Sequence, residues 1–169
     1  LRNLYISNRV KSHEFWDKTL SLILEVTESK FGFLGEIKVN DEGDQYLKTF
    51  SLTNISWSDE TRALYSKMSR SGFEFENLNT LFGEVIKTGK PLITNSPENH
   101  PSAGGIPDGN PPLSSFMGVP LHYAGKMIGM LGVANKKDGY DDLFLNNLMD
   151  IFDSISGIVN AFLLEREKA

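Results

Sequence analysis

The residues from 142 to 166 constrain this chain most strongly. Phe144, Leu148, Ile151, Ile155, Ile158 and Phe162 step by 4, 3, 4, 3 and 4, and Leu145, Met149, Phe152, Val159 and Leu163 form a second row beside them. That period belongs to an α-helix, and two adjacent apolar rows make a face that water cannot cover cheaply. Such a helix, N-capped by Asp141 or Asp142, needs an extended apolar surface to lie on. One row is expected to cover that surface. The other, with Phe152 and Val159 on it, is expected to meet a partner helix, where an added charge would weaken association without unfolding the domain.

Two hairpins supply the surface. Phe31 to Val39 and Tyr46 to Thr53 are rich in aromatic and branched residues and flank the polar stretch Asn40 to Asp44, which predicts an antiparallel pair. The acidic turn lacks the ligand spacing and terminal Glu of a calcium loop, and reads as a plain turn. Phe116 to Tyr123 and Met127 to Ala134 predict a second hairpin around Ala124-Gly125-Lys126, and Leu92 to Thr94 a short strand.

Further helices are predicted over 13–29 with Ser12 as N-cap, over 59–70 from Asp59, and over 79–88. The last is capped by Asn79 and stopped by Gly89 ahead of Pro91. Residues 1–11 read as the end of an upstream helix. This order of elements indicates one α+β domain, residues 1–169, built on a central antiparallel sheet.

Composition removes whole classes of function. The chain has no cysteine, so disulfides, thiolate nucleophiles, thiolate zinc sites and iron–sulfur clusters are excluded. Seventeen Lys and Arg against 22 Asp and Glu give a net charge of -5, which argues against a nucleic-acid surface and a polybasic membrane patch. No apolar run approaches the ~20 residues that cross a bilayer, and the first residues do not look like a signal peptide. The sequon Asn54-Ile55-Ser56 then reads as a chance match, and the domain is expected to be soluble and cytoplasmic, without direct membrane contact. His13, His100 and His122 are too far apart for a local metal motif, and no phosphate loop, dinucleotide fingerprint or nucleophile elbow occurs.

The second hairpin carries a family likeness. Ser115-Phe116-Met117-Gly118-Val119-Pro120-Leu121 and then Gly125 to Lys136 resemble the last hairpin of a GAF domain. Leu81 to Ile93 looks like that family's middle helix, glycine and strand, and Asp141 to Phe162 like its closing helix, so the likeness covers nearly all of residues 13–165. It implies a GAF/PAS-like sensor fold. The first and last helices would lie on one face of the sheet, with short helices and the long loop 95–114 enclosing a pocket on the other. It further implies a non-catalytic small-molecule sensor within a larger signalling protein such as a bacterial sensor histidine kinase. The effector and any cofactor stay unidentified. Residues 163–169 would begin a helix toward the next domain, and a parallel homodimer would pair along the first and last helices. The family's enzymatic branch, free methionine sulfoxide reductase, works through cysteines that this chain lacks.

On that reading the ligand-binding residues are Trp57, Phe75, Thr80, Phe82, Thr94, Phe116 and His122. Trp57, Phe73, Phe75 and Phe82 lie in segments expected to close over the sheet, as core or as a ligand cage. Thr80, Thr94 and Asn95 can orient a ligand. Gly118, Gly129 and Gly132 interrupt good strands, marking either close ligand approach or the packing of the terminal helices. His122 shares a predicted face with Phe116, Gly118 and Pro120, as an edge histidine or as a haem ligand. Gly104 to Gly109 reads as a flexible lid, since no helix follows it to hold an anion. Two other functions stay open: a purely structural dimerisation module, and a haem-binding redox or gas sensor through His122.

Overall fold

A computed structural model describes residues 2–53, 74–76, 78–101 and 113–168, with side chains from Ser12 onward except that of Glu98. The order is α1 (Arg2–Val26), β1 (Phe31–Val39), β2 (Gln45–Leu52), β3 (Glu74–Phe75), α2 (Leu81–Thr88), β4 (Leu92–Thr94), β5 (Phe116–Tyr123), β6 (Lys126–Ala134) and α3 (Asp142–Lys168). The six strands form one antiparallel sheet in the order β3-β2-β1-β6-β5-β4. This is the α+β arrangement expected. The helix predicted over 59–70 and the sequon at Asn54 lie outside the described residues.

Local chemistry explains the turns. Asn40 Oδ1 accepts the amides of Glu42 and Asp44, so the first turn is an asparagine-built one. In the second, Ala124 and Gly125 both have positive φ, the geometry that matches the twist of a two-residue hairpin loop. Helix ends depart from the sequence reading. Ser12 lies inside α1, which runs unbroken from Arg2, so it is no cap. At the other end of α1 the Thr27 hydroxyl donates to the Ile23 carbonyl, and Glu28 turns to φ 54. Asp141 caps α3, its carboxylate accepting the Phe144 amide at 2.7 Å.

The helices at the two ends of the chain share one face. Trp16, Leu20 and Ile23 of α1 and Leu145, Phe152, Ile155 and Val159 of α3 bury against Leu34, Met117, Val119, Leu121, Leu131 and Val133. The helices run antiparallel: Trp16 meets Phe162 near the end of α3, while Ser29, just past α1, bonds Tyr140, just before α3. Trp16 also stacks flat on Phe50 at 4.4 Å.

This packing corrects the reading of the last helix. Phe152 and Val159 are 1 % and 0 % exposed, whereas Ile151 and Ile158 of the other row are 40 % and 39 % exposed. The row assigned to a partner helix is core. Leu145, Phe152 and Val159 recur every seven residues and sit at the centre of the buried stripe, and the sheet takes that centre. By length and composition α3 would also pass for a membrane-crossing helix, contrary to the sequence reading. Only 22% of that apolar stretch is buried inside the domain, and Ile151 and Ile158 stay about two-fifths exposed.

Gly157 of α3 has open space where a Cβ would be. Gly157→Ala is therefore expected to stabilise the domain by about 1 kcal/mol, since glycine disfavours helix by that amount. A melting temperature raised by about 2–4 °C would show it.

Candidate functional site

The opposite face of the sheet carries α2. Thr80, extended at φ -142, is its N-cap, and the Gly83 amide donates to Thr80 Oγ1 at 3.0 Å. Asn79, expected in that role, instead accepts from Lys87 Nζ. The helix stops where Gly89 turns to φ 67 and its amide donates to the Val85 carbonyl. So placed, α2 presses Val85 and Ile86 onto Leu47 and Met130, with Phe33, Ile37, Phe75, Leu78, Phe82, Leu92 and Met127 packed around them. Because the buried Thr80 hydroxyl is used in the cap, its first role is structural. Thr80→Ala is expected to cost about 1 kcal/mol through the lost cap, readable as a lower melting temperature.

Phe75 and Phe82 meet edge-on at 4.8 Å, and Phe33 joins them at 6.2 and 6.0 Å. Thr94 sits directly across from Phe116 on the β4–β5 ladder, its hydroxyl accepting the Ser96 amide. His122 lies six residues from Phe116 on β5, so about 20 Å away at strand rise. It is exposed, with Nε2 close to Gly89 at the end of α2. The structure thus joins Phe75 with Phe82 and Thr94 with Phe116, and sets His122 apart from Phe116. Trp57, Phe73 and residues 102–112 of the expected lid lie outside the described residues.

The strand glycines serve the chain's own packing. Gly118 and Gly132 face one another across β5–β6. A Cβ on Gly132 would come within 2.5 Å of the Phe33 ring, and one on Gly118 within 2.8 Å of Val85 and 3.1 Å of Phe116. A Cβ on Gly129 would meet the Gly35 carbonyl oxygen at 2.5 Å. These glycines make room for rings and for neighbouring backbone.

Asn95 is also engaged within the protein. Its amide nitrogen donates to the Tyr140 carbonyl and its oxygen accepts the Tyr140 amide, both at 2.9 Å. Gly139, at φ 80, leaves space for that clamp. Asn135, which sequence reasoning passed over, holds the far end of the same loop by accepting the Ser114 amide at 2.8 Å. Both ends of the segment between β4 and β5 are therefore tied to the connector that leads into α3. Burial pushes the Tyr140 phenol up to about 12, against the opposing hydrogen bond with Ser29. Its proton is held more tightly folded than unfolded, so this stabilisation is complete below pH 10 and lost as pH rises through about 12. Alkaline titration should show Tyr140 ionising together with loss of structure.

A separate concavity of about 630 Å³ opens beside the first hairpin turn, lined by Asn40, Glu42, Asp44, Gln45, Tyr46, Glu76 and Leu78. Among the described residues, no group of three His, Asp or Glu side chains is placed to hold a metal ion.

Comparison with known proteins completes the description. A family model described as a GAF domain matches residues 12–159. The methyl sulfide methyltransferase-associated sensor of Methanosarcina acetivorans is 26% identical over 143 residues, 84% of this chain but only 14% of that protein. Among solved structures, the GAF domain of a phosphoenolpyruvate-protein phosphotransferase from Coxiella burnetii superposes with a TM-score of 0.69 at 12% identity, over 93% of this chain and 86% of that one. A type II free methionine-R-sulfoxide reductase from Thermoplasma acidophilum gives 0.62 at 17% identity, over 91% and 96%. At these identities the structural likenesses speak for the fold alone.

Proposed function

The chain belongs to the GAF domain family, and from that premise we propose that it is the non-catalytic sensory domain of a longer cytoplasmic signalling protein, with a histidine kinase as its output. The observation that carries this reading is the two-sided sheet. One face holds the aromatic group around Phe75 and Phe82, the other holds α1 and α3, and β1 contributes residues to both. A small molecule bound against the aromatic face would favour one arrangement of the terminal helices and so bias whatever they connect to. The much greater length of the Methanosarcina sensor supports a multidomain setting. In that setting residues 1–12 are the end of an upstream linker and residues 163–169 the start of a downstream one, while the rest of α1 packs in the core. The fold is shared with a reductase, but the absence of cysteine removes thiol redox chemistry from this chain.

Two copies pair along α1 and α3. Phe15, Leu22 and Val26 of α1 and Leu143, Ile151, Ile158 and Leu164 of α3 are exposed apolar side chains that such pairing would cover. A second reading, a structural dimerisation module, is favoured by the way Phe33 and Phe116 fill the space over Gly132.

Native mass spectrometry and an absorption spectrum of the freshly purified protein decide among these. A small-molecule adduct that is lost in Phe82→Ala supports the sensor. A dimer with no adduct, no Soret band and no melting shift across a metabolite panel would leave the structural module. A Soret band abolished by His122→Ala would establish the haem sensor.

A further inference from the structure

One ion pair fastens the end of α3 to the middle of the sheet. Arg166 Nη1 and Nη2 donate to Glu36 Oε2 and Oε1 at 2.6 and 2.8 Å, a two-pronged contact. The Glu36 side chain is 5 % exposed and that of Arg166 47 %. The contact raises the Arg166 guanidinium above its ordinary value, so its charge is permanent. Arg166 also lies over the Phe162 ring, and Phe162 packs edge-on against both Trp16 and Phe50. Loosening Arg166 would therefore loosen the hold of α3 on α1 as well.

A buried carboxylate cannot be left without a cation or a proton at small cost, so Arg166 can leave only if something replaces it. The sheet register places a replacement. Lys48 on β2 is directly opposite Glu36 on β1, where side chains share a face with Cβ atoms about 4.5–5.5 Å apart. Lys48 is half-buried, and the register also sets it opposite Glu74 of β3 on its far side, so it stands between two carboxylates. On the other side Glu36 faces Gly129, which brings no charge. The same strand presents Phe33 and Ile37 to the aromatic face, so β1 is a direct physical link between that face and the carboxylate.

We propose that Glu36 is a two-position latch for the outgoing helix: bound to Arg166 it holds the last turn of α3 on the sheet, and bound to Lys48 it lets that turn go. Its signalling purpose rests on the sensory reading above. Its existence does not, and it is tested without any effector.

The experiment is hydrogen exchange by mass spectrometry, with melting curves, on the whole chain and on Arg166→Met, Lys48→Met, the double variant, and the double variant with Glu36→Gln. Arg166→Met is expected to speed exchange over residues 160–168 by roughly tenfold while protection in β1 and β6 stays, because Lys48 takes over the carboxylate. Lys48→Met alone should leave that region unchanged. The double variant strands Glu36, so its melting temperature should fall by more than the two single losses combined, and Glu36→Gln should restore it. Unchanged exchange over 160–168 in Arg166→Met would refute the latch. Additive melting losses, or outright unfolding of Arg166→Met alone, would refute the second position. Failure to find an effector would leave all of these results standing and would count only against the sensory reading.

Discussion

Phe152→Glu and Val159→Glu are expected to unfold the domain rather than to separate a dimer. Both side chains are sealed between α3 and the sheet, with Leu145 and Ile155 beside them. Removing a buried Phe costs about 3–5 kcal/mol in packing alone. Stranding a carboxylate there adds several more, or forces it to take up a proton. Against a total stability of about 5–15 kcal/mol, the folded state does not survive such a change at Phe152. The smaller Val159 loses less packing, but it lies in the same sealed layer. The matched pair is Ile151→Glu and Ile158→Glu, at positions about two-fifths exposed. These should cost no more than about 1 kcal/mol while lowering the dimer population. Circular dichroism melting with sedimentation velocity separates the four variants. A folded, soluble Phe152→Glu protein would disprove the burial of that row. A dimer indifferent to both Ile changes would disprove pairing along α3.

Gly83→Ala should be nearly as damaging, despite adding a single methyl group. The new Cβ would stand 2.1 Å from the Leu78 carbonyl oxygen and 2.4 Å from its carbonyl carbon and Cα. All three are backbone atoms, so no side-chain rotation relieves the clash. Either the chain at Leu78 or α2 itself must move, and α2 carries Phe82, Val85 and Ile86 with it. The expected loss is about 3 kcal/mol or more, opposite in sign to the ordinary gain of about 1 kcal/mol for glycine to alanine in a helix. Gly157→Ala in α3 is the internal control, because it should show that ordinary gain. Denaturant titration of both variants is the measurement. A Gly83→Ala protein as stable as the parent would mean that Leu78 does not lie against the first turn of α2. Because the aromatic group leans on α2, this variant should also lose any ligand bound there.

Much of the architecture was legible because it is encoded between near neighbours. The two hairpins follow from apolar runs around Asn40 to Asp44 and Ala124-Gly125-Lys126, and the long closing helix from its period. Caps were less legible. Asn79 and Thr80 are both good capping residues, and only the extended backbone at Thr80 decides between them. Within the candidate site, Phe75 and Phe82 could be anticipated as a pair of rings near one another in the chain. Phe33 could not. Its strand packs on both faces, and Phe33 and Leu34 stand side by side in it, so the sequence does not say which of the two faces the rings take. Asn95 looked as available to a ligand as Thr94 does, until its amide was found closed on the Tyr140 backbone.

The class of fold, the hairpin turns, the closing helix and the exclusion of thiol chemistry were readable along the chain, because each depends on composition or on residues a few positions apart. Three things emerge only in the folded molecule: which stripe of α3 is core, whose rings fill the space over Gly118 and Gly132, and that Arg166 reaches Glu36 across 130 residues. A local period says that a face is apolar, but which face is buried is set by the sum of contacts with distant surfaces, and no short stretch of chain carries that sum.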